Sequence, residues 1–199
     1  MKTLIFAIVV AYSTLSLFAE GYSVGDKAEG FKLKNVDDKL VSLSDYKEAK
    51  GFVVIFTCNH CPYAKAWEDR IIDIDKKYKE KGYPVIAISS NDVSIVPDDD
   101  FEHMKIRAKE KGFTFPYLFD ETQEVADKYG AMRTPHVFLL KKENNALIVK
   151  YIGAIDNNFK DASAVTETYL SDAIDALLSG KNPDPFETKA IGCSIKRKE

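Results

Sequence analysis

The chain has 199 residues, with 45% hydrophobic and 30% charged residues and a formal net charge of −3. That balance describes a globular protein with room for a core of ordinary size, and it lacks the basic excess that marks a nucleic-acid-binding surface. The three cysteines, Cys58, Cys61 and Cys193, are too few for a disulfide framework, and the loop that a Cys58–Cys61 bridge closes is too small to constrain an unfolded chain much.

The N-terminus carries Lys2, then the apolar run Leu4–Ala11, a weaker stretch from Tyr12 to Phe18, and polar sequence from Glu20 onward. Charge, short apolar segment and small residue in that order read as a secretory signal. Residues 1–19 are therefore expected to direct export to the periplasm, with cleavage after Ala19, although Leu17 stands where a small residue is preferred. The alternative is a retained anchor, but the strongly apolar part is shorter than the roughly 20 residues a span needs. No other segment is apolar enough to cross a membrane, so no stable membrane insertion is expected after cleavage.

From Glu20 to Gly30 the chain reads as loop. Phe31–Leu33 and Leu40–Leu43 alternate around Asp37-Asp38 as a hairpin, followed by a helical turn at Ser44–Tyr46. Phe52–Phe56 is a continuous β-branched and aromatic run, a strand buried on both faces. Tyr63 to Lys81 is helical, with Ala66, Ile71, Ile74 and Tyr78 at three- and four-residue spacing, Pro62 in its first turn and Gly82 as its stop. Val85–Ile88 is a second buried strand. Asp98-Asp99-Asp100 precedes a helix to about Lys111 and reads as capping and solvation of its N-terminus, not as a metal site. Phe115–Phe119 reads as a short strand and Thr122–Tyr129 as a short helix. Val137–Leu140 and Leu147–Ile152 form a hairpin about Glu143-Asn144-Asn145. Val165–Leu178 is an amphipathic helix, and residues 181–199 form a tail that holds Cys193. Alternating strands and helices that end in a hairpin predict an α/β fold with a mixed sheet covered on both faces.

Cys58 stands where a buried strand ends and a helix begins. Its sulfur is expected to face free backbone N–H groups and the positive end of the helix dipole, a setting that lowers a thiol pKa to roughly 3.5–7.5 from about 8.5. Cys58 is then the attacking thiolate, and Cys61, one turn inward, resolves the mixed disulfide. His60 between them either stabilises the thiolate as a partly protonated ring or is a solvent-exposed turn residue. Competing readings of the C-x-x-C are weaker. A c-type haem site needs His where Pro62 stands, and a zinc ribbon needs a second ligand pair. A metal site built from Cys58, Cys61 and His103 or His136 stays open. No cofactor and no resident metal are expected.

Three stretches carry a resemblance to a known family: Thr57-Cys58-Asn59-His60-Cys61-Pro62-Tyr63, Tyr129–Pro135 with its Thr134-Pro135 ending, and Ile191-Gly192-Cys193-Ser194-Ile195-Lys196. They resemble the thioredoxin-like superfamily, in the branch grouped with alkyl hydroperoxide reductase and thiol-specific antioxidant domains. The resemblance implies a thioredoxin fold over residues 20–180: a central mixed β-sheet flanked by helices, with an N-terminal hairpin and an inserted helix-containing segment. It also implies a cis Pro135 beside the cysteines, whose neighbouring backbone pairs with an extended partner peptide. Cys58, Cys61 and Pro135 are then the catalytic residues, supported by Asn59, His60, Arg133 and Thr134, with Cys193 a second resolving thiol, a partner link or a bystander. The sequence departs from the family at two places. Phe52 stands where thioredoxins carry a buried acid, which leaves the proton acceptor for Cys61 unnamed, and Ile55 stands where peroxiredoxins carry Thr.

The implied function is thiol–disulfide exchange with protein thiols and disulfides, the electrons coming from or going to a separate redox protein. One alternative is a thiol peroxidase that uses Cys58 sulfenate with Arg133 as an anion-stabilising group. The other is a non-enzymatic metal carrier.

Overall fold

A computed structural model describes residues 21–198, so the expected signal segment lies outside the described residues. The strands are β1 (Lys27–Ala28), β2 (Lys32–Asn35), β3 (Leu40–Ser42), β4 (Gly51–Thr57), β5 (Val85–Ser89), β6 (Tyr117–Phe119), β7 (Arg133–Thr134), β8 (His136–Glu143), β9 (Ala146–Gly153) and β10 (Cys193–Ser194). The helices are α1 (Pro62–Tyr78), α2 (Phe101–Lys111), α3 (Glu124–Tyr129) and α4 (Tyr169–Leu178). Eight strands form one sheet in the order β1-β9-β8-β4-β5-β6-β2-β3, and β10 pairs separately with β7.

The centre of the sheet follows from side-chain alternation. In β4, Val53 and Ile55 enter one apolar cluster, and Phe52, Val54 and Phe56 enter the other. β5 divides in the same way, Val85 and Ala87 to the first cluster and Ile86 and Ile88 to the second, as β8 does with Val137 and Leu139 against Phe138 and Leu140. β4 runs parallel to β5 and antiparallel to β8, and β5 runs parallel to β6. The β2–β3 hairpin extends the β6 edge. Two-sided burial is why these runs read as continuously apolar.

α1 and α4 cover the first face, and α3 with the N-terminal segment covers the second. The inner face of α1 is carried by Ala64, Trp67, Ile71, Ile74 and Tyr78. Ala66, expected to belong to it, is exposed, because the stripe begins at Ala64, not two residues later. Glu68 is buried on the same helix, where it takes a two-pronged ion pair from Arg107 on α2. Both Asn144 and Asn145 adopt positive φ in the β8–β9 turn, the pairing that a tight hairpin turn favours.

Several boundaries differ from the sequence reading. α4 begins at Tyr169, and the chain before it is a 3₁₀ turn at Ala162–Ala164 capped by Asp161. β1 pairs with β9 inside a stretch expected to be loop. The segment after α4 packs back on the body, with Ile152 donating its N–H to the Phe186 carbonyl and accepting one from Thr188. No helix among the described residues is long and apolar enough to cross a membrane.

Candidate active site

β4 ends at Thr57, and α1 begins at Pro62 with Cys61 as its N-cap. The turn between them carries Cys58, Asn59 and His60. Cys58 and Cys61 are buried, with Cys61 fully enclosed. Thr134 and Pro135, joined by a cis peptide bond, sit against the pair: the Cys58 thiol lies 3.4 Å from Thr134 Oγ1, and the Cys61 thiol lies 3.2 Å from the Thr134 carbonyl.

The largest difference from expectation is Asp99. The middle residue of the acidic triplet is completely buried. Its Oδ1 accepts the backbone N–H groups of Asn59 (2.7 Å) and His60 (3.1 Å), and its Oδ2 meets His60 Nδ1 (2.5 Å) and the Asn91 side-chain amide (2.6 Å). The capping reading holds only for Asp100, which caps α2 at the His103 N–H. Asn59 braces the same turn through the Asp98 carbonyl and the buried Tyr117 hydroxyl. A triplet of acids before a helix looks alike at all three positions, so the sequence holds no local sign that its middle member turns inward.

Asp99 therefore takes the N–H groups that were expected to face the Cys58 sulfur and sets a carboxylate beside it. The Cys58 pKa is pushed up, first by donation of its proton to Cys61, then by burial and by Asp99. Cys61, at the mouth of α1, is pulled down to about 4. The Cys58 thiol contributes most to that shift, and the Cys193 thiol, the Ala64 N–H and Thr134 add to it against the effect of burial. The two buried thiols therefore titrate as one coupled pair, the first proton leaving more readily than from a free thiol and the second held more tightly. Each sulfur has one N–H of the helix start beside it, that of Cys61 at Cys58 and that of Ala64 at Cys61.

The tail brings Cys193, for which three roles were open, to the same pair. This cysteine is partly exposed, and β10 places it opposite Thr134, with its sulfur 2.6 Å from that of Cys61. Burial and the neighbouring Cys61 push its pKa to about 11. Arg133 is exposed and donates to the Gly192 carbonyl at 3.3 Å, so it serves the tail. His136 is buried, accepts the Met132 N–H at 3.3 Å, and is held by burial and by Arg133 at a pKa of about 4. His103 is exposed against Asp100. Among the described residues, the grouping that brings potential metal ligands within 4.8 Å is Cys58, His60 and Asp99, which includes neither Cys61 nor His136. Both Asp99 oxygens are already engaged by N–H groups and the His60 ring, so a metal there would have to displace them. Phe52 is a core residue paired with Leu140, and the buried carboxylate of this site is Asp99, set against the Asn59–His60 turn.

The AhpC/TSA family profile matches residues 24–151. The thiol-disulfide oxidoreductase ResA of Oceanobacillus iheyensis is 34% identical over 124 residues, and the match spans 60% of each chain. A solved structure of an uncharacterized conserved protein from Geobacillus kaustophilus superposes with a TM-score of 0.81 at 38% identity, covering 92% of this chain and 94% of that one. The thioredoxin domain of a thiol-disulfide oxidoreductase from Bacteroides vulgatus, at 19% identity and a TM-score of 0.54 over 67% of this chain and 91% of that one, shares the fold. With a thioredoxin fold and a family match across most of its length, this chain belongs to the AhpC/TSA family of thioredoxin-like redoxins.

Proposed function

We propose that this protein is a thiol–disulfide oxidoreductase that exchanges electrons with protein thiols and disulfides through Cys58 and Cys61, after export to the periplasm. The observation that carries the reading is the pairing of the two thiols at the β4–α1 junction, both held against Thr134. The ResA relative and the family match support it.

The chemistry follows from the shared proton. When a partner brings a disulfide to the turn, the remaining proton is held on Cys61 and the charge on Cys58. Cys58 attacks the partner and a mixed disulfide forms. Cys61 then loses its proton and displaces the partner's sulfur, which leaves a Cys58–Cys61 disulfide. His60 and Asp99 stand beside Cys58, their ligand atoms within 4.8 Å of its sulfur, and the partner's departing thiolate takes up the released proton. Thr134 holds both sulfurs in register.

A redox titration of the Cys58–Cys61 pair, coupled to reduction of a protein disulfide, tests the reading. The expected outcome is a single two-electron transition with turnover that Cys58→Ser abolishes, while Cys61→Ser accumulates mixed disulfides. Normal turnover by Cys61→Ser contradicts the resolving role. Recovery of the mature chain from the periplasm with its N-terminus at Glu20 tests the export reading, and retention of residues 1–19 opposes it.

A further inference from the structure

β10 occupies the place that an extended partner would take. It runs antiparallel to β7 with Cys193 opposite Thr134, and the Gly192 backbone passes so close that a side chain there would put its Cβ 2.2 Å from the Thr134 carbonyl oxygen. The segment is fastened. Ile195 is buried among the second-face core residues and donates its N–H to Met132. Lys196 donates to Asn91 Oδ1, and Lys196 and Lys198 engage the Gln123 side chain. The Arg197 guanidinium reaches the Ala131 carbonyl and Asp127. Cys193 is therefore held in place, with its sulfur 2.6 Å from Cys61, and it is the only one of the three cysteines that is not buried.

We propose that Cys193 is a third redox-active thiol, which takes over the disulfide of the buried pair by forming a Cys61–Cys193 bond and presents it at the surface to a partner dithiol. The proposal rests on the exchange activity above and extends it. In the oxidised Cys58–Cys61 protein, the Cys193 thiolate attacks the Cys61 sulfur. The Cys61–Cys193 bond forms as the Cys58–Cys61 bond breaks, and the electron pair leaves on Cys58, which takes up the proton that Cys193 gave up. One disulfide moves and no outside oxidant is consumed. A partner thiolate then attacks the Cys193 sulfur and expels Cys61. A thiolate stabilised as Cys61 is here leaves readily. The partner's second thiol displaces Cys193, so the partner departs oxidised and all three cysteines are reduced. The tail then serves as a tethered port to the enclosed pair.

The test uses the full Cys58→Ser chain, equilibrated in a glutathione redox buffer, acid-quenched, alkylated and peptide-mapped by mass spectrometry. The expected result is an intramolecular Cys61–Cys193 disulfide as the main oxidised species. Adding Gly192→Ala, which pushes β10 away from Thr134, should lower its yield on the order of tenfold, the effect of about 1.4 kcal/mol of lost docking. Separate glutathione adducts on Cys61 and Cys193, or a Cys193 that stays reduced while Cys61 is oxidised, overturns the proposal. So does a yield that Gly192→Ala leaves unchanged. Wild-type protein assayed beside it separates the two claims. If wild type exchanges with a protein disulfide while Cys58→Ser forms no internal bond, only the relay fails. If wild type does not exchange at all, the parent reading fails with it.

Discussion

The Asp99 carboxylate gathers two backbone N–H groups of the active-site turn, the His60 ring and the Asn91 amide. It fixes the shape of the turn and at the same time sets negative charge beside Cys58, which adds to Cys61 and burial in raising the Cys58 pKa. Asp99→Asn removes the charge but keeps one acceptor oxygen. The expected outcome is that Cys58 alkylation, followed by mass spectrometry against pH, shifts to lower pH, and an unshifted profile contradicts the electrostatic role. Nothing local in the sequence marks Asp99, because its partners in the active-site turn lie 39 and 40 positions away. Cys58, Cys61 and Pro62 were legible because strand end, turn and helix start are consecutive in the chain.

Among the elements, the buried strands were the easiest to read. β4, β5 and β8 are covered on both faces, so their apolar runs state their positions directly. β10 was not legible: two residues pair with β7 across about sixty positions, and no periodicity can register so short a strand. Its docking depends on Ile195, which is buried in the second-face cluster. Ile195→Ala is expected to destabilise that docking by about 2 kcal/mol or more, in the range of large-to-small core changes. Hydrogen exchange checks this. The Ile195 amide should lose protection while the β4 amides keep theirs, and equal protection in both proteins would show that the tail is not anchored there. The helix stripe of α1 was displaced in the reading because Ala66 looks no different from Ala64 without knowledge of where Trp67 points.

For the whole molecule, the buried imidazole of His136 links ionisation to folding. His136 is held neutral, its pKa lowered from 6.5 to about 4 by burial first and Arg133 second. The unfolded chain therefore binds the extra proton more readily, and stability rises with pH through that window. The contribution is complete above about pH 6.5 and is lost as the pH falls toward about 4. It amounts to about 3 kcal/mol, because each pH unit between the folded and unfolded pKa values is worth about 1.4 kcal/mol. Urea unfolding of His136→Phe at several pH values should show a shallower acid loss than wild type over that range, and parallel curves would refute the linkage. The fold as a whole was legible because alternation of strands and helices is written along the chain, whereas the site is assembled from a turn, a distant acid and the tail. The claim on which the account depends is that these parts hold one charge among three sulfurs, and ultraviolet thiolate absorbance of the reduced protein measures it directly. The account predicts one thiolate per chain that persists on acidification well below the ordinary thiol range and is missing in Cys61→Ser. Three thiols titrating together near the free-cysteine value of about 8.5 would contradict it.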